Sequence, residues 1–167
     1  MSTVRLVVIE DNPADVLLLR DALTEAGLNC SLEQYTNGEQ ALAAVASMAE
    51  APDLILLDLN LPRVHGFEIL KAIRERPLLA GAKVAVVTTS PAAADKLQSQ
   101  KLGADAYIVK PSGYEEFLAV VSTAIKQLLG GATAARDRGK GRRENAKEQP
   151  ERRRPATGSS GKVAFKR

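Results

Sequence analysis

One cysteine, Cys30, is all the chain has, so no intramolecular disulfide staples it and no second thiol stands ready to resolve an oxidised one. Its one histidine, His65, lacks the companions that a histidine metal site needs, and it reads as a structural or surface loop residue. No apolar run approaches the ~20 residues of a membrane span. Val4–Ile9 is too short and too closely followed by acids to be the core of a signal peptide. These absences point to a reducing, membrane-free setting, and the expected location is the cytoplasm.

The formal charge of +3 conceals two unlike parts. Residues 1–131 carry 11 Lys/Arg against 16 Asp/Glu, a net −5, whereas residues 132–167 carry 12 against 4, a net +8. The basic character therefore belongs to the C-terminal segment, which is the only part suited to nucleic acid.

Five short apolar runs alternate with helical patterns: Val4–Ile9, Ser31–Tyr35, Leu54–Leu57, Val84–Val87 and Ala106–Val109. Runs of Val, Ile and Leu without polar alternation fit strands covered on both faces. Ser31–Tyr35 is mixed in polarity and fits an edge. Helix starts are expected at Asn12-Pro13, at Asn37 with Gln40, at Ser90-Pro91, and at Ser112 with Glu115; Gly27 and Gly103 fit helix stops. Leu17, Leu18 and Ala22 are expected to form the buried stripe of the first helix, and Phe117, Val121 and Ile125 that of the last. Strict strand–helix alternation predicts an α/β fold with a five-stranded parallel sheet, doubly wound and flavodoxin-like, in the order 2-1-3-4-5. Beyond Leu129 large apolar residues almost cease. The expected division is a globular domain over 1–129 and a basic disordered tail over 130–167.

In such a sheet, chemistry gathers at the carboxyl ends of the strands. Those ends carry Glu10 and Asp11, Asp58, Thr88 and Lys110. Three converging carboxylates repel unless a cation compensates them, and an all-oxygen donor set on a rigid rim suits Mg²⁺. Asp58, central in the predicted order, is the expected nucleophile towards phosphorus, with Lys110 and the Thr88 hydroxyl as donors to phosphoryl oxygens. Taken singly, each residue has a plainer reading: a helix-dipole acid, a turn residue, a solvated lysine, a strand-ending threonine. The conjunction favours chemistry.

Val8-Ile9-Glu10-Asp11-Asn12, Leu56-Leu57-Asp58-Leu59-Asn60-Leu61-Pro62, Thr88-Thr89-Ser90 and Val109-Lys110-Pro111 resemble the receiver domains of bacterial two-component response regulators. The likeness runs from about Val4 to Leu129. More narrowly, Asn12-Pro13-Ala14-Asp15 and Tyr107-Ile108-Val109-Lys110-Pro111 are similar to stand-alone regulators that partner phytochrome-type histidine kinases. The resemblance implies phosphoryl acceptance at Asp58 from a histidine kinase. It implies Mg²⁺ ligation by Asp11, Asp58 and the Asn60 backbone carbonyl, with Glu10 acting through water, and a cis Lys110–Pro111 bond. Thr88 and Tyr107 are implied to switch a face built by helix 4, strand 5 and helix 5, which would signal to a protein partner or a second copy of the chain. A receiver is a phosphoacceptor acting on itself, not an enzyme in the ordinary sense. His65 departs from the Asp or Asn usual before the following glycine, and Thr89 fills a position often held by Ala.

Two other classes fit less well. A haloacid-dehalogenase-type phosphatase needs a second Asp two residues after its nucleophile, following the first strand; here Asn60 stands there and Asp58 follows the third. A DNA-binding output domain needs ~60 residues with apolar periodicity, which the tail lacks. Arg142-Arg143 and Arg152-Arg153-Arg154 leave only weak electrostatic contact with nucleic acid.

Overall fold

Leu6 and Val8 face one side of the first strand and Val7 and Ile9 the other, and all four are buried. That alternation sets the layers. The structure is a computed structural model that describes the backbone of residues 3–144 and the side chains of residues 3–130. Its elements are β1 (Val4–Ile9), α1 (Pro13–Glu25), β2 (Cys30–Tyr35), α2 (Gly38–Ser47), β3 (Leu54–Leu57), α3 (Gly66–Glu75), a 3₁₀ turn (Pro77–Leu79), β4 (Lys83–Thr88), α4 (Ala93–Lys101), β5 (Ala106–Val109) and α5 (Tyr114–Glu144). The strands form one parallel sheet in the order β2-β1-β3-β4-β5, as the sequence predicts. One face packs Leu6, Val8, Leu54, Leu56, Ala85 and Val87 against α1 and α5. The other packs Val7, Ile9, Ile55, Leu57, Val84 and Val86 against α2 and α3. Double coverage explains why the central strands read as unbroken apolar runs, and why edge strand β2 does not.

Phe117, Val121 and Ile125 are buried as expected, and Leu129 is the last core residue among the described side chains. The first helix is turned differently. Val16, Leu19, Ala22 and Leu23 are buried, while Leu17 is 60% exposed, one position and about 100° around the helix from Val16. Asn12 caps α1 by accepting from the Ala14 amide, and Asn37 caps α2 by accepting from Gln40. Gly27 and Gly103 end their helices in left-handed conformations, φ 70° and 92°. Two starts fall later than the sequence suggests. α4 begins after Ala92, because the Ser90 hydroxyl is already bonded to the Ala92 amide and to Asp95. α5 begins after Gly113, whose carbonyl takes the first helical bond from the Phe117 amide, so the Ser112–Glu115 box is not the start.

No cis peptide bond occurs among the described residues, so the expected cis Lys110–Pro111 bond is trans. Lys110 is aimed instead by the carboxylates around its ammonium. The backbone of α5 continues as helix to Glu144, beyond the expected boundary at Leu129. The expectation of a disordered tail for residues 145–167 lies outside the described residues.

Candidate functional site

The sheet register brings the strand ends level. Ile9 pairs with Leu57, Leu57 with Val86, and Thr88 with Val109. Backbone pairing carries one residue further: the Asp58 amide donates to the Ile9 carbonyl at 3.0 Å, and the Lys110 amide to the Thr88 carbonyl at 2.8 Å. Glu10, Asp58 and Lys110 thus leave the sheet on one rim, carried by strands with fixed spacing. α3 also approaches this rim closely. A side chain at Gly66 would place its Cβ 2.5 Å from the Asp58 carbonyl oxygen, so only glycine fits.

Lys110 lies at the centre. Its Nζ donates to Glu10 Oε2 at 2.7 Å, Asp15 Oδ2 at 2.8 Å and Asp58 Oδ2 at 3.1 Å, and its side chain is 5% exposed. The other Asp58 oxygen accepts the Asn60 amide at 3.2 Å, and Glu10 Oε1 accepts the Asn12 amide at 3.0 Å. Glu10 and Asp58 are buried, whereas Asp11 and Asn60 are exposed at the mouth. Oxygens of Glu10, Asp11 and Asp58 lie within 4.8 Å of one another.

The electrostatics follow from burial. Glu10 is pushed up to about 7, chiefly because burial disfavours its charged form, with the Lys110 ammonium opposing. Burial works to lower Lys110, but hydrogen bonds to Asp15 and Glu10 and the charge of Asp58 overcome it and push its ammonium up. Glu10, Asp11, Asp15 and Asp58 together outnumber the single lysine by three charges. A divalent cation and Lys110 would balance Glu10, Asp11 and Asp58, and Asp15 adds one net negative charge to that set. Asp15 was legible only as a first-turn acid of α1. The signal that could have placed it is the Asn12-Pro13 start, which turns position 15 back over the strand ends.

The oxygen-only cluster fits a hard divalent cation. Two oxygens on one Mg²⁺ stand at most about 4.2 Å apart. The three acids offer oxygens within 4.8 Å of one another, close to that limit.

Thr88 is fully buried beside this cluster, and its hydroxyl accepts the Ser90 amide at 3.3 Å. Tyr107 is half-buried, with its hydroxyl donating to the Ser90 carbonyl at 2.9 Å. Both switch candidates meet at Ser90, which was expected only as a helix start. His65 caps α3, its Nδ1 accepting the Phe67 amide at 3.3 Å, which fits the structural role expected of it.

The family model described as the response regulator receiver domain matches residues 6–122. The chain is similar to the response regulator Rcp1 of Synechocystis sp., 31% identical over 121 residues, covering 70% of this chain and 82% of that protein. It is 34% identical over 123 residues to the DNA-binding dual master transcriptional regulator RpaA of Synechocystis sp., covering 74% of this chain and 49% of RpaA. The chain spans about half the length of the first of its curated relatives. Among solved structures, the phosphorylated cyanobacterial phytochrome response regulator RcpA superposes with a TM-score of 0.71 at 31% identity, over 77% of this chain and 95% of RcpA. A Mn²⁺-bound form of Rcp1 superposes with a TM-score of 0.67 at 29% identity, over 73% of this chain and 91% of that one.

Proposed function

Because the chain belongs to the response regulator receiver domain family, we propose that it is a single-domain response regulator that accepts a phosphoryl group on Asp58 from a histidine kinase. The observation that carries this reading is the meeting of Glu10, Asp11 and Asp58 with the Lys110 ammonium on one rim of the sheet. The likeness to RcpA and Rcp1 supports a phytochrome-type kinase as the donor.

Asp58 is the nucleophile. Its carboxylate is buried and fixed by Lys110 and the Asn60 amide, so attack needs little reorganisation. Lys110 then holds a phosphoryl oxygen, and the Thr88 hydroxyl can turn from Ser90 to donate to another. Asp11, Asp58 and the Asn60 carbonyl would hold Mg²⁺, with Glu10 acting through water. Bound there, the ion would offset carboxylate charge and draw the phosphoryl oxygens into place. The Mn²⁺-bound form of Rcp1 supports a divalent cation as the ligand of this chain. The same groups favour hydrolysis of the aspartyl phosphate by water, so the domain times its own signal.

Output is read on α4, β5 and α5 by a protein partner or a second copy of the chain. Phosphorylation adds a charge of about −1.5 to −2. It draws Thr88 inward and opens room for the Tyr107 ring. The globular unit is 1–129, and the basic segment 130–167 takes no part in phosphoryl acceptance; any contact it makes with nucleic acid is electrostatic and weak.

The test is label incorporation from acetyl phosphate or a phosphorylated histidine kinase. Uptake should require Mg²⁺ and vanish in Asp58→Asn. Normal uptake by that variant, or indifference to chelation, rejects the assignment.

A further inference from the structure

Leu129 is the last core residue among the described side chains, yet the backbone of α5 stays helical to Glu144. At 1.5 Å per residue the whole helix is about 46 Å long. It starts at Tyr114, close to the rim that carries Lys110 and Asp58, so its far end lies well away from that rim.

Residues 130–144 include no Val, Ile, Leu, Met or aromatic residue, so this part of α5 has no apolar stripe to bury against a domain. Gly130, Gly131, Gly139 and Gly141 are poor helix formers, and a free helix of this length is marginal in water. The stretch is rich in charge instead. Arg136, Arg138, Lys140, Arg142 and Arg143 stand against Asp137 and Glu144. On a helix of 3.6 residues per turn, positions 136, 140 and 143 fall within about 60° of one another, on one face. Positions 137 and 144 share another face, and 138 and 142 lie on the far side. The three-cation face rises about 10 Å along the axis, and phosphates follow each strand of a duplex every ~3.4 Å. Its length therefore matches about three successive phosphates.

The kind of partner follows from what is missing. A helix on a membrane surface needs an apolar face, and a protein interface needs buried apolar or aromatic anchors. Residues 130–144 offer neither. Without an aromatic ring they give bases nothing to stack on, which favours a duplex over a single strand. Residues 1–131 carry a net −5, so a polyanion repels the domain and turns it outward.

We propose that residues 132–144 are a docking helix for double-stranded nucleic acid, engaging its phosphates through Arg136, Lys140 and Arg143 whatever the base sequence. The site is separate from Asp58 and does not rest on the phosphoacceptor reading. It tethers the domain to a duplex with the rim facing solvent.

The experiment measures binding of the full chain to a short fluorescent DNA duplex of arbitrary sequence as NaCl is raised from about 50 to 200 mM. Affinity should fall about 40-fold or more over that range, the salt dependence of three neutralised phosphates. Replacing the face together (Arg136→Gln, Lys140→Gln and Arg143→Gln) should make the log–log slope shallower by about 2.7. The pair Arg138→Gln and Arg142→Gln should change it by less than about 1, since those positions face away. Slopes that fall simply in proportion to the charges removed overturn the assignment to one face. No binding by the wild type at low salt overturns the site, as does equal affinity for a single strand. Equal affinity for polyglutamate overturns it too and marks an acidic protein as the partner. All variants should melt as the wild type does; a lower melting temperature would show that this helix packs on the domain and would also overturn the proposal.

Discussion

Removing the Lys110 ammonium should expose how much charge the site holds in check. In Lys110→Met, Glu10 and Asp58 stay buried and lose the cation that now sits 2.7 and 3.1 Å away. Removing one member of a buried ion pair costs about 3–5 kcal/mol. Here part of that cost is avoided. Burial already holds Glu10 up to about 7; without its main counter-charge it takes up a proton at neutral pH, which brings the loss down to about 2–3 kcal/mol. For a core of this size that is a melting-temperature drop of about 6–15 °C in chelator. The variant should recover most of this in Mg²⁺, since the ion no longer meets a competing ammonium, and saturation to 100 times Kd contributes about 2.7 kcal/mol. Thermal melts of both proteins in EDTA and in millimolar Mg²⁺ make the comparison. Equal melting in EDTA, or equal increments on adding Mg²⁺, would refute the claim that Lys110 compensates this cluster.

Gly66→Ala should destabilise by about 2 kcal/mol or more, because backbone rather than a flexible side chain blocks the new Cβ; urea unfolding reads the loss, and slower label uptake should accompany it because Asp58 must shift. Chelated protein should lose stability as pH rises from about 5 to 7. In that window the folded state holds the Glu10 proton that the unfolded chain, at its ordinary 4.5, has released. Denaturant midpoints across pH check the slope, and a midpoint rising through that window would contradict it.

The fold was legible because double coverage leaves a plain trace: four apolar runs, one mixed edge, and caps at Asn12 and Asn37 that the structure retains. The strand-end acids and Lys110 were legible for the same reason, since topology alone brings strand ends together. Side-chain direction was harder. Leu17 and Val16 are both apolar, and only the packing of α1 decides which faces inward. Asp15 reaches Lys110 across 95 residues, and the Asn12-Pro13 helix start indicates only where Asp15 lies, not the partner it meets. Ser90 looked like a helix start because serine before proline commonly is one; its hydroxyl was already committed to Asp95.

The contact between Lys110 and Glu10 joins residues 100 positions apart. During synthesis, a chain whose β5 has not yet emerged from the ribosome carries Glu10, Asp11 and Asp58 without their ammonium. The acids then repel, and the rim lacks the donor that orients an incoming phosphoryl group. Closing so long a loop comes late in assembly, after the local helices and the β1–β3 pairing. On the proposed phosphoacceptor role, a molecule without β5 would therefore compete poorly for the phosphoryl donor, and competence to receive the signal would double as proof that the whole sheet is in place.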